Sequence, residues 1–229
     1  MGVNPDELGE DTDVDEPEEE ESEPKELVYG SVNEFVREYL RNVYRRRIDG
    51  QPWMWVGDWW RYPEAEDVLD ALWRAWEHLN LDGRTGKSVW WRDHARPHME
   101  SLMTKGTSPF PAEAVKAQST TVLDPLPYVE PPAGSYPDQR GPAAVAAAIV
   151  HLLAHRDLPD WDTRITGYLA HPGAVDLDEL PVPAATSDAV EVLDGEGEAV
   201  DVVVGDLLVQ LARTAPADPW LATDIQPLT

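Results

Sequence analysis

With 229 residues, no cysteine and a formal net charge of −26, the chain has room for one or two domains. It cannot build a disulfide, a thiolate nucleophile or a Cys-ligated zinc site. It holds no apolar run near the ~20 residues that a membrane-spanning helix needs, and its first residues are acidic rather than basic, unlike a secretory signal; a cytoplasmic protein with no membrane contact is expected.

The charge is uneven. Residues 1–26 carry thirteen acids and one lysine, residues 27–110 carry twelve charges of each sign, and residues 111–229 carry nineteen acids against five basic residues. The first segment, with Glu18-Glu19-Glu20-Glu21 at its centre, has too little apolar surface to offset chain entropy, so it reads as a disordered acidic arm. Its plain role is a solubilising tail. The sharper alternative is an electrostatic lid over Arg41, Arg45, Arg46 and Arg47.

Helical signals follow. Ser31 and Glu34 make a capping box. Val32, Phe35, Val36, Tyr39, Leu40, Val43 and Tyr44 recur at three- and four-residue steps, as one apolar stripe requires. Arg45, Arg46 and Arg47 fall where a last turn would welcome positive charge, and Asp49-Gly50 stops the helix. Between Trp53 and Trp91 the chain places eight of its ten tryptophans. Trp53 to Trp60 reads as a loop or short strand wrapped over the helices. Pro63 opens a second helix with Glu64, Glu66 and Asp67 in its first turn; Ala65, Val68, Leu69, Leu72, Trp73, Trp76 and Leu79 form its buried face. A third element runs from Ser88 to about Thr104. Pro97 is expected to break it into two short helical pieces with a bend.

The run Trp59-Trp60-Arg61, Pro63-Glu64-Ala65, Ala71-Leu72-Trp73-Arg74-Ala75-Trp76, then Ser88-Val89-Trp90-Trp91-Arg92-Asp93-His94 and Pro97-His98-Met99, carries a resemblance. With Tyr29-Gly30-Ser31 and Tyr44-Arg45-Arg46 upstream, residues 27–110 resemble a small actinobacterial domain of unknown function, numbered four-nine-one-three. The resemblance implies an accessory protein of plasmids, phages or integrated mobile elements. It brings no catalytic residue. The family often closes on an Asp-Pro-Asp-Gly-Pro-Phe ending, where this chain has Lys105-Gly106-Thr107-Ser108-Pro109-Phe110.

From Lys105 to Pro142 the chain holds eight prolines and little periodicity. Residues 111–141 therefore read as a Pro-rich linker with extended backbone. Residues 142–229 read as a small α+β unit. Pro142 starts a helix, apolar nearly all round, that runs to about Arg156 and must be buried. Ala189–Leu193 and Ala199–Val204 flank a glycine-rich acidic turn and read as a β-hairpin. Leu207 to Ala212 reads as a short helix. The fold class expected is thus mainly α: acidic arm 1–26, Trp-rich helical domain 27–110, linker 111–141 and α+β unit 142–229.

Chemistry-bearing patterns are few. No phosphate-binding glycine loop, nucleophile elbow or dinucleotide fingerprint is present, so no enzyme and no cofactor is expected. His94 and His98, and again His151 and His155, have a metal-ligand spacing. Neither pair shows an evident third ligand, His171 being available only if the fold returns it, and no metal site is expected. Three function classes follow. The leading one is a non-enzymatic interaction protein docking on an unidentified protein partner. The second is binding of single-stranded nucleic acid through Arg45, Arg46, Arg47, Arg61 and Arg92 with Trp59, Trp60, Trp90 and Trp91, which the net charge opposes. The third is a metal-dependent enzyme using one histidine pair.

Overall fold

The computed structural model describes residues 26–118, 120–171, 173–183, 189–193, 195 and 197–228. The acidic arm up to residue 25, and two residues of the acidic hairpin turn, Asp194 and Glu196, lie outside them. Helices dominate the N-terminal part, and a four-stranded antiparallel sheet lies at the C-terminus.

The first helix, α1 (32–43), joins Val32–Glu34, a π-helical stretch Phe35–Leu40 and Arg41–Val43. Its start follows from the capping box. Ser31 Oγ accepts the Glu34 N–H at 3.2 Å, while Glu34 Oε2 reaches one residue further back and accepts the Gly30 N–H at 2.6 Å. Val43 is the last helical residue, so Arg45, Arg46 and Arg47 lie beyond the helix, in irregular chain, and not in its last turn. Helix α2 spans Pro63–Asn80, with proline at its first turn and Ala65, Leu69, Leu72, Trp73 and Trp76 buried.

Helix α3 (86–103) corrects the expected break at Pro97. Gly86–Val89, a π-helical stretch Trp90–Ala95 and Arg96–Met103 run on without interruption. Proline removes one N–H from the ladder. Here it falls in the first turn after a π-helical stretch, where the bonding pattern is already changing.

These three helices bury an aromatic cluster. The Phe35 ring centroid lies 6.0 Å from Trp76 and 6.2 Å from Trp90, and Tyr29 lies 5.1 Å from Trp76. Trp90 donates its indole N–H to the Leu72 carbonyl at 3.0 Å, which ties α3 to α2. Chain entry is fixed by Glu77, whose carboxylate accepts the N–H groups of Val28 and Tyr29 and the Trp73 indole N–H. The Trp53–Trp60 segment wraps over the helices, pairing Met54 N–H with the Met103 carbonyl at 2.7 Å.

Residues 111–141 do not behave as a free linker. A short helix α4, Ala112–Ala117, buries Val115, and Leu126 joins the same core as Phe35 and Trp90. The extended stretch after it is held by its backbone. Leu126 N–H donates to the Arg41 carbonyl, Val129 N–H to the Gly57 carbonyl, and the Trp55 indole to the Pro127 carbonyl at 2.8 Å. Gly57 permits this: a Cβ there would meet the Tyr128 backbone at 2.9 Å. Prolines suit an extended strap that offers carbonyls and few N–H groups.

The C-terminal unit has its own core. Helix α5, Pro142–Ala154, buries Val145, Ile149, Val150 and Leu153 and packs on the sheet; a short helix α6, Trp161–Thr166, packs beside it. The sheet is a meander of β1 (Val190–Val192), β2 (Ala199–Val204), β3 (Leu207–Ala212) and β4 (Leu221–Pro227). The expected hairpin is present, with Val190 opposite Val204 and Val192 opposite Val202. The expected helix at Leu207 to Ala212 is instead β3. Leu207, Val209 and Leu211 face the core while Leu208, Gln210 and Ala212 do not, a period of two. Pairing with β2 through the two-residue turn Gly205-Asp206 overrides the helical leaning of Leu, Gln and Ala. Among the described residues no helix is long and apolar enough to cross a membrane.

Candidate functional site

The arginines and tryptophans singled out from sequence fall into two separate groups. In the first, Trp91 stacks on Tyr44 with centroids 6.0 Å apart and planes 13° from parallel. The Arg46 guanidinium lies 4.2 Å from the centre of the same Tyr44 ring and 5.8 Å from that of Trp53. Arg45 donates to the carbonyls of Asn42 and Leu123, both at 2.8 Å. Arg47 pairs with Asp49 at 3.1 Å, and Arg92 pairs with its neighbour Asp93 at 2.6 Å.

The second group is Trp59, Trp60 and Arg61, which form a single 3-10 turn before α2. Arg61 covers Trp60 at 5.0 Å and reaches Asp58 at 3.4 Å. Trp60 donates to the Val129 carbonyl at 3.2 Å. Each adjacent tryptophan pair divides its labour. Trp59 and Trp90 are buried, while Trp60 and Trp91 are half-buried. Adjacent residues on a helical turn point about 100° apart, so one member meets the core and the other the rim.

The histidine pairs serve the helices that carry them. His98 Nδ1 donates to the His94 carbonyl at 2.7 Å and His155 Nδ1 to the His151 carbonyl at 2.8 Å. Among the described residues no three His, Asp or Glu side chains gather as a metal-binding group. Burial, then His155 and Arg164, push the His151 imidazole below its usual value, with Glu38 opposing. The neutral ring is therefore favoured in the fold. Its contribution is complete above the unfolded value of 6.5 and fades as pH falls through the lower folded one. A proton NMR titration is expected to place the His151 midpoint below 6.5, and Arg164→Gln or His155→Ala to raise it. A parent midpoint at or above 6.5 contradicts this reading.

A third constellation escaped the sequence reading. Where α1 and residues 130–140 meet α5 and α6, a cleft of about 370 Å³ opens, bordered by a charged seam. Glu130 accepts Asn33 Nδ2 at 2.8 Å, the Tyr128 hydroxyl at 2.9 Å and Arg37 Nη1 at 3.2 Å. Arg140 binds Asp138 through Nε at 3.0 Å and Glu34 through Nη2 at 3.1 Å. The Tyr168 hydroxyl donates to Asp138 at 3.1 Å, which links the C-terminal unit to the seam. A Cβ on Gly30 would collide with the Asp138 carboxylate, so Gly30 is what lets this carboxylate sit against α1. Burial raises the Glu34 carboxyl, and Arg140 and the Gly30 N–H pull it back. The side chains of this seam are up to 135 positions apart, from Asn33 to Tyr168, and no local pattern joins them.

Residues 29–132 match the family model described as Domain of unknown function (DUF4913). That is the family read from the tryptophan motifs. The matched segment runs past residue 110 and takes in the strap up to Pro132, including Leu126, Tyr128 and Glu130, which pack on the helices. Phe110 packs inside the matched segment, its ring 5.7 Å from Trp55 and 5.2 Å from Tyr62. No curated protein and no solved structure matches the chain.

Proposed function

We propose that this chain is a non-enzymatic interaction protein, an accessory of a mobile element, which meets a protein partner through the face formed by Arg46, Trp53 and Trp91. The observation that carries the reading is the stacking of Arg46 on Tyr44 and Trp53, with Trp91 against the same tyrosine. Arginine, tyrosine and tryptophan are the residue types that dominate binding energy at protein interfaces. Stacking holds them in place before the partner arrives, so little side-chain entropy is lost on docking. The mobile-element setting rests on the family resemblance of the tryptophan motifs. A cytoplasmic location goes with it.

Single-stranded nucleic acid is the second reading, favoured by the guanidinium groups around this face. It needs free aromatic faces for base stacking. Tyr44 is already covered by Arg46 and Trp91, and Trp60 by Arg61. What the face offers outward is guanidinium edges and ring rims, which suit carboxylates and apolar side chains of a protein. Charge reversal tests this. Bait carrying Arg46→Glu is expected to lose a partner that the parent retains from its own host's extract, with unchanged thermal melting. Equal capture by both baits would show that the partner does not dock on this face.

A further inference from the structure

Three guanidinium groups line the cleft between the two units, and two of them are saturated. Arg37 is held by Glu38 and Glu130, and Arg140 by Asp138 and Glu34. Arg164 on α6 differs. Its side chain is only 14% exposed, yet among the described residues its guanidinium finds no hydrogen-bond acceptor. Glu38 Oε1 stands 3.6 Å from Nη2, a distance for charge attraction but not for a hydrogen bond, and Nε is closed off from solvent with no partner. Glu38 is also shared, since Arg37 Nε holds the same oxygen at 2.7 Å. A guanidinium drawn this far out of water without acceptors is unfavourable, and an arriving oxyanion relieves it.

The space beside Arg164 has the size for such a ligand. Its volume, about 370 Å³, falls in the ~300–1,000 Å³ range of small-molecule sites. The walls are mixed in the way those sites are. Ala144, Ala147 and Ala148 lie at three- and four-residue steps along α5, and Pro131 comes from the strap. Small side chains there leave room for an apolar body. His151, one turn on from Ala147, lines the same cleft.

We propose that the cleft binds a small organic anion, with one carboxylate or phosphate group on Arg164 and an apolar body against the alanine face of α5 and Pro131. The proposal is independent of the protein-docking face, which lies on other residues, so either can fail alone.

The test uses the full chain and three probes: benzoate, phenyl phosphate and uncharged benzyl alcohol, followed by two-dimensional NMR and calorimetry. At least one of the two anions is expected to bind saturably in the millimolar range or tighter, shifting the resonances of Ala147, Ala148 and Arg164. The stronger of the two identifies the acid group. Benzyl alcohol is expected to bind at least tenfold more weakly. Arg164→Gln should weaken the anion about ten- to a hundredfold, the usual loss of a charge-assisted hydrogen bond, while Arg47→Gln on the exposed surface changes nothing. Should Arg164→Gln unfold the chain, Ala148→Leu keeps the guanidinium, fills the wall and is expected to abolish binding. No saturable shift with either anion overturns the proposal, as does equal binding of benzyl alcohol, or an anion that ignores both substitutions.

Discussion

Replacing Trp90 with alanine is expected to lower the unfolding free energy by about 3–5 kcal/mol, the loss usual for a fully buried large aromatic. Trp90 is 1% exposed, packs against Phe35, Tyr39 and Trp91, and ties α3 to the Leu72 carbonyl through its indole N–H. Truncation leaves a cavity and removes the hydrogen bond that ties α3 to α2. The neighbouring Trp91→Ala, at a half-buried position stacked on Tyr44, is expected to lose well under half as much. Urea unfolding of both variants checks the pair. Equal losses would contradict the division of each tryptophan pair into one core and one rim residue.

The second large effect lies in the strap. Glu130→Ala is expected to lower stability by about 3 kcal/mol, the low end for breaking a buried ion pair by removing one partner. Glu130 has a side chain 9% exposed, and it accepts from Arg37, Asn33 and Tyr128 at once. Arg37 keeps Glu38, which limits the loss. Arg47→Ala, breaking an exposed pair with Asp49, serves as the contrast and is expected to change stability by less than about 1 kcal/mol. Chemical unfolding at neutral pH distinguishes them. A Glu130→Ala loss as small as that of Arg47→Ala would mean that residues 111–132 are a linker and not part of the helical domain.

The helical domain was legible because its signals are local. Ser31 and Glu34 cap α1, Pro63 opens α2, and the apolar steps from Ala65 to Trp76 mark the buried face that α2 shows. Two kinds of structure were not legible. The first is β3, whose Leu, Gln and Ala lean toward helix until pairing with β2 decides the matter. The two-residue Gly205-Asp206 step between Val204 and Leu207 was the available hairpin signal. The second is everything built by distant partners. Proline content in residues 111–141 reads as an extended linker between two units, whereas the structure packs residues 126–130 on the helices as a strap whose carbonyls meet Trp55 and Trp60. Likewise the arginines that sequence singled out are occupied by nearby acids, carbonyls or rings. Arg164, which carries no motif, is the cleft arginine for which no hydrogen-bond acceptor stands among the described residues.

The Arg46–Tyr44–Trp91 face is proposed to meet protein and not single-stranded nucleic acid. A salt titration tests it most directly, using fluorescence anisotropy of a labelled single-stranded DNA with the full chain and with a chain lacking residues 1–26. That deletion removes thirteen acids and one lysine and leaves a net charge of −14. No saturable binding by either protein is expected at physiological salt, because the aromatic faces are already covered and the arginines are held by acids, carbonyls or rings. Binding that appears on deletion, fades steeply with salt as counterion release requires, and vanishes when Arg45, Arg46 and Arg47 become alanine would contradict it and make the acidic arm a lid over a nucleic-acid site.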